Sequence, residues 1–461
     1  MADLNLPQAL DGNGKSEVAL IIATLGYGIV ADDCERGSLN FQALPGVRSP
    51  QSLATKAFSR IRSRLPYSGA VLLMSADVRL QSAPVPRSQN TLKLREARFE
   101  DHSQVAALAS KNHLYVESYP EWTHLWTDNP AYRDIKDTFP MGWVLENKGG
   151  AISGYLGNVP LHYELEGKRL LAVATRAWVV DSACRPYSPL LLGTFFKQRN
   201  VDLFLNTTVS AEAAAAYSIF QGIRVPVGVW DRTLFWITHF QGFTESFLRG
   251  KRVAMAKALS YPLAAGVFLR DQAKRSHFQP AVKVLPCASF DDRFDAFWAS
   301  VRQKKPKILL AVRSREALQW HFKFALQQDA AWIYIVEGNS GLAAYSVFLR
   351  QDSLETGLKR VRLADFQCLE QGSAPELLAA MLQAALDRCR QEPIHMLELI
   401  GLTDELEQKL ERLSPHGRPL PTWMYYYKPN NPVLAESLKN AAVWEPSLFD
   451  GDSSLCSLTA T

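Results

Sequence analysis

The chain has 461 residues, 47% of them hydrophobic and 21% charged, which describes a globular protein with a sizeable core and room for two or three domains. A net charge of +5 over that length is mild; it makes no case for nucleic acid as the main partner and suits a small anionic ligand. The six cysteines (Cys34, Cys184, Cys287, Cys368, Cys389, Cys456) include no C-x-x-C pair and the nine histidines lack ligand spacing. No metal site and no disulfide framework are therefore expected, and the thiols fit a reducing cytoplasm.

Residues 1–90 hold Gly/Ser/Pro-rich pieces such as "LPGVRSPQS" and "SAPVPRSQ", and they read as an N-terminal extension without an assignable role. Its apolar run "VALIIATLGYGIVA" (18–31) is too short to span a bilayer and is flanked by acids rather than a basic segment. No membrane insertion or secretion signal is expected. From residue 91 a strand, "TLKLREA", leads into helical pattern. "ESYPEWTHLWTDNP" (117–130) reads as an amphipathic helix with Trp122 and Trp126 inward. Three meandering strands follow across 142–181, then a helix, "SPLLLGTFFKQ" (188–198), and a strand, "VDLFL" (201–205). The switch from meander to strand–helix–strand sets the strand at 172–181 parallel to the one at 201–207.

The next stretch is "NTTVSAEAAAAYSIFQGI" (206–223). Ser210 suits an N-cap, the alanines favour helix, and Gly222 suits the residue just past the helix end. A helix over 211–221 follows, with Ala213, Tyr217 and Phe220 on one face. Two readings stay open. The thin alanine surface packs tightly on a sheet, or it forms a wall against which a ligand lies. A helical connector covers 241–280.

The second half repeats the first about 190 residues later. Glu146 and Glu337, Tyr155 and Tyr345, and the pairs Lys168-Arg169 and Lys359-Arg360 recur in the same order of elements. The expected architecture is an α/β (α+β) fold with mixed sheets: two tandem units, 91–240 and 281–430, and a C-terminal tail, 431–461.

This element order, with "DSACRPYSPLLLG" and the alanine-rich stretch, resembles the GNAT superfamily of acyl-CoA-dependent N-acyltransferases, present twice. "YYYKPNNP" and "WEPSLFDGD" give it a similarity to tandem GNAT-like proteins found among bacterial polysaccharide and surface-glycan genes. The resemblance implies that acetyl-CoA or a longer acyl-CoA is co-substrate, its arm lying between two splayed parallel strands, with carbonyl-binding N–H groups near Val179 and Val180 and with Asn206 at the cleft. The family's Arg/Gln-x-x-Gly-x-Gly/Ala turn corresponds to "RPYSPL": Arg185 is kept, Ser188 stands at the first Gly position and Leu190 at the second small one. The counterpart "EQGSAPE" (370–376) is acidic, which implies that the cofactor belongs to the first unit. The resemblance also implies Tyr217, or by strict spacing Ser218, as the acid for the departing thiolate. Asp181 is then the first choice of base, with Glu117, Glu121, His124 and Asp128 in the region where relatives place the acceptor.

The implied reaction is direct N-acylation, with N-acetylation as its simplest form, of a small-molecule or glycan amine such as an amino sugar. Two alternatives stay open: a Fem-like transferase drawing its acyl group from aminoacyl-tRNA, and a non-catalytic double domain that only binds.

Overall fold

The computed structural model describes residues 92–455 apart from 228–231, 275–281, 340, 403, 414 and 420–423. The expected N-terminal extension lies outside the described residues. The first half runs β1 (Lys93–Glu96), α1 (His102–Lys111), α2 (Tyr119–Thr127), α3 (Pro130–Arg133), β2 (Gly142–Glu146), β3 (Ile152–Leu165), β4 (Lys168–Val180), α4 (Ser188–Phe196), β5 (Leu203–Val209), α5 (Ala211–Ile219), β6 (Ile223–Arg224) and β7 (Arg232–Ile237). The connector is a helical hairpin, α6 (Phe240–Gly250) and α7 (Ala256–Lys274). The second half runs β8 (Leu285–Cys287), α8 (Asp292–Lys304), β9 (Leu310–Ala311), α9 (Arg315–Gln327), β10 (Ala331–Gly338), β11 (Gly341–Arg350), β12 (Arg360–Cys368), α10 (Ala374–Gln391), β13 (Met396–Ile400), α11 (Asp404–Leu410), β14 (His416–Pro419), β15 (Met424–Pro429) and α12 (Pro432–Ser437). This is the mixed α/β architecture with two mixed sheets that the sequence predicts.

Each sheet opens as an antiparallel meander that leads into one parallel pair. The first is ordered β1-β2-β3-β4-β5-β15-β6 and the second β8-β10-β11-β12-β13-β7-β14, with β4 parallel to β5 and β12 parallel to β13. Each parallel ladder is short. It covers Ala172–Leu203 to Ala174–Leu205 in one sheet and Arg360–Met396 to Arg362–Glu398 in the other. A bulge follows at once on the inner strand. Gly157 faces Arg176 but Tyr155 faces Val179, while Phe348 faces Leu363 but Val347 faces Asp365. In the first sheet Ala177, inside the bulge, takes φ +52°. An extra residue bends its strand and sharpens the twist, so each parallel pair splays just past its third rung.

Each half's last strand crosses to the other sheet. β7 pairs with β13 in the second sheet, and β15 pairs with β5 in the first. The boundaries expected at 240 and 430 therefore do not coincide with the edges of the two sheets.

Side-chain alternation decides the layers. Trp143, Leu145, Leu156 and Phe204 face α4, which buries Leu191, Leu192, Phe195 and Phe196 against them. Val144, Tyr155 and Val159 face the other way, into a core shared with α1, α2, α8, α9 and the second sheet's Ile333, Ile335 and Val347. Trp332, Tyr334 and Phe348 turn outward onto α10. Trp122 and Trp126 are core residues, as expected.

Because the exchanged strands cross-tie the halves, a protease nick in the exposed turn at 251–255 should leave both fragments co-eluting in native gel filtration. They should part only when denaturant unfolds both sheets. Separation of the nicked halves in native buffer would contradict the exchange.

Candidate active site

Where β4 and β5 part, a cavity of about 410 Å³ opens. Its walls are Thr175 to Trp178 from β4, Asn206, Thr208 and Val209 from β5, Ala213 and Tyr217 from α5, Glu117 from the α1–α2 loop, and Gln351, Asp452 and Ser453 from the second half and the tail. Local sequence explains the α5 wall. Ser210 caps the helix, its Oγ accepting from the Ala213 N–H at 3.3 Å. The helix closes with Gln221 N–H donating to Ser218 O and Gly222 N–H to Tyr217 O, a Schellman arrangement. The left-handed residue is Gln221, at φ +63°, rather than Gly222. Gly222 is needed for close approach instead, since a Cβ there would lie 2.9 Å from the Tyr217 carbonyl oxygen.

Tyr217 is buried in the cavity wall, with its hydroxyl 3.2 Å from Thr175 Oγ1. Asn206 Nδ2 donates to both Thr175 Oγ1 and the Tyr217 hydroxyl, while its Oδ1 accepts from the Thr208 N–H at 3.1 Å. This network ties the two splayed strands to α5. Burial holds the phenol's pKa above its ordinary range, so the hydroxyl keeps its proton. Ser218 faces out of the cavity and donates to the Ala214 carbonyl at 3.0 Å.

The charged centre of the cavity is Arg176. It donates to Glu117 Oε1 from Nε at 3.0 Å and from Nη2 at 2.6 Å, and its Nη1 lies 3.3 Å from Asp452 Oδ2. Asp452 is 8% exposed, and its Oδ1 is buried without a partner. Burial pushes its carboxyl upward against the pull of Arg176. The sequence names Glu117 within a broader acidic stretch. Arg176 and Asp452 are not predicted by it, because a strand arginine and a tail "DGD" carry no periodic signal.

The other predicted residues stand outside the cavity lining. Asp181 accepts from Lys111 Nζ at 2.6 Å at the end of β4. Val179 and Val180 are buried opposite Tyr155 and Gly154, beyond the lining, which on β4 ends at Trp178. Glu121 closes a capping box with Ser118. His124 has both ring nitrogens engaged, by Asp128 at 2.8 Å and the Trp320 carbonyl at 2.9 Å. Arg185 is exposed in a 3-10 turn, Ser182–Tyr187, that runs into α4. Ser188 is the first residue of α4, whose N-cap position is Tyr187 with no side-chain cap. This turn offers few donors for a pyrophosphate. Pro186 and Pro189 have no N–H, and Cys184 and Ser188 donate to Asp181 O and Arg185 O. The residues fit an amide-bearing arm between the strands better than they fit the phosphates.

The second splay is filled. Between β12 and β13 only about 60 Å³ remains, lined in part by Glu445, Pro446, Ser447 and Leu448 of the tail. Asp365 there accepts two hydrogen bonds from Arg313, at 2.8 and 2.9 Å, one from the Tyr345 hydroxyl at 2.6 Å and one from Ser447 Oγ at 3.2 Å. Beyond this plug, Gly451 packs on Thr207 of β5 and Asp452 enters the first cavity. Among the described residues no helix is long and apolar enough to cross a membrane, and no acid–histidine–cysteine group could hold a metal ion.

No family model and no curated protein matches the chain. Solved structures align with about three quarters of the chain. The N-myristoyltransferase of Saccharomyces cerevisiae with bound myristoyl-CoA does so at TM-score 0.47 and 11% identity, over 75% of this chain and 80% of its own. A GCN5-related N-acetyltransferase from Anabaena variabilis does so at TM-score 0.44 and 10% identity, over 74% and 73%.

The tail is anchored by Asp450, which accepts from the Tyr163 hydroxyl at 2.9 Å and the Ser447 N–H at 2.8 Å. Burial raises its pKa from 3.8 to about 6. The folded state thus holds this proton more tightly than the unfolded chain. The associated stability is fully present below about pH 4 and is lost as pH rises through about 6. Urea midpoints measured across that window should fall less steeply for Asp450→Asn than for the native chain.

Proposed function

We propose that this chain is an acyltransferase that takes acyl-CoA in the first cleft and transfers the acyl group to an amine. The observation that carries this reading is the contrast between the two splays. One is filled by the chain's own tail, while the other leaves an open cavity between parted strands, whose backbone groups need partners. An amide-bearing pantetheine arm is a chemically matched partner. A bound acyl-CoA would supply an activated acyl carbon and a thiolate leaving group.

Each role falls to a residue in the cavity wall. The backbone at Ala177 and Trp178, where the bulge turns the strand edge to the cavity, would stabilise negative charge developing on the carbonyl oxygen. Asp452, with its orphaned Oδ1 and raised pKa, would take the proton of the attacking ammonium. It assumes the part that the sequence gives to Asp181. Arg176 would hold Asp452 and Glu117 apart from one another and in place. Tyr217 would return a proton to the thiolate, oriented by Thr175 and Asn206. The acceptor is an amine small enough to reach Asp452, and an amino sugar is one such molecule. The weak donor set at Arg185 and Ser188 leaves most of the affinity to the arm and the acyl chain.

Acetyl-CoA and longer acyl-CoAs should raise the melting temperature, whereas aminoacyl-tRNA should not. If only the tRNA stabilised the protein, the Fem-like alternative would replace this reading. Tyr217→Phe should lower kcat on the order of 10²–10⁴-fold with acyl-CoA affinity nearly unchanged. Asp452→Asn should lower kcat and remove the acidic limb of the pH–rate profile, because the base works only when deprotonated. Unchanged turnover in both variants would sink the assignment.

A further inference from the structure

The connector helix α7 exposes apolar side chains along its outer side. Its inner side buries Ser260, Ala264 and Asp271, with Leu263 and Val267 half-buried beside them. Gln241 Nε2 donates to Ser260 Oγ at 3.2 Å, Thr244 Oγ1 donates to the Ser260 carbonyl at 3.1 Å, and Asp271 Oδ1 lies 3.2 Å from His416 Nε2. Its outer side runs Ala258, Tyr261, Pro262, Ala265, Leu269 and Ala273, positions three or four apart that share one face, and all of them are exposed. Tyr261 is 58% exposed, Leu269 67%, and Met255, just ahead of the helix, 76%. Surface helices normally present charged and polar residues on that side. This outward face, apolar apart from Gln272 and with Lys257 at its N-terminal edge, marks an interaction surface.

Charge decides between occupants. The turn that opens the helix carries Arg252 and, one residue into the helix, Lys257, both exposed and without an ion-pair partner among the described residues, beside exposed Lys251. A second copy of the chain has no exposed acid on this hairpin to meet them, since Glu245 pairs with Arg249 and Asp271 with His416. An anionic lipid surface supplies both missing parts, a bed for the apolar face and headgroups for the cations.

We infer that α7 is an interfacial helix that docks the protein peripherally on anionic membrane, with its apolar face at the headgroup boundary. Peripheral docking agrees with the absence of a spanning helix among the described residues. It is independent of the acyl-transfer chemistry and adds to it a location for the acceptor.

Co-sedimentation with vesicles of phosphatidylcholine, alone or with phosphatidylglycerol, tests this with the full chain. Binding should be at least about ten-fold stronger with the anionic lipid and should weaken with salt. Arg252→Glu combined with Lys257→Glu should cost on the order of ten-fold or more, and Leu269→Asp combined with Tyr261→Asp should abolish binding. Both double variants lie on an exposed face remote from the cavity, so each should keep the native melting temperature. Their activity on a soluble acceptor should also be native, which separates this inference from the proposed reaction. Equal partitioning onto neutral and anionic vesicles, or full binding by the Asp variant, would overturn it. So would a concentration-dependent dimer that Leu269→Asp dissolves in the absence of any vesicle binding.

Discussion

Most of this structure follows from a parallel ladder that lasts only three residues. Past Ala174 and Leu205, and again past Arg362 and Glu398, a bulge bends the inner strand away from its neighbour. Backbone groups that leave a ladder inside a protein must find other partners. The same geometrical event occurs in both sheets, and the two sheets answer it differently. One draws in Pro446 to Leu448 and wires Asp365 to Arg313, Tyr345 and Ser447. The other keeps a cavity and lines it with hydrogen-bonding side chains.

The tail links the two answers. Within a few residues it passes from the filled splay to the open one, so the plug of the second sheet positions a carboxylate in the first. Asp365 and Arg313 are fully buried, and breaking such a pair from one side costs about 3–5 kcal/mol. A disturbance at that plug would therefore reach Asp452 through a short, covalently connected segment. Arg176 gives the same segment a second hold, by bonding the Asp452 carbonyl as well as its carboxylate.

Much of the fold is legible in the residues because its signals are local. Ser210 as a cap, the alternation along β2 to β4, and the recurrence of Tyr155 as Tyr345 each declare their surroundings through neighbouring positions. The exchange of β7 and β15 is not legible. The two strands occupy the same place in their respective halves, so pairing within a half and pairing across halves satisfy one and the same pattern. The site divides in a similar way. Tyr217 and Asn206 stand on regular elements next to the predicted splay, and the structure brings both to the cavity. Asp452 comes from an irregular segment 235 and 246 positions beyond Tyr217 and Asn206. Its approach depends on Gly451 sitting against Thr207 and on Asp450 meeting Tyr163, contacts that no spacing rule encodes.

The crossed strands also bear on synthesis at the ribosome. β5 leaves the exit tunnel with one of its edges open, and its partner on that side, β15, is encoded more than two hundred codons later. At about 5–20 residues per second, that edge waits on the order of 10–40 s before it can be covered. During the wait it is a bare template for foreign strands. That edge of the nascent first half stays open until β15 has emerged, and only then can its sheet close.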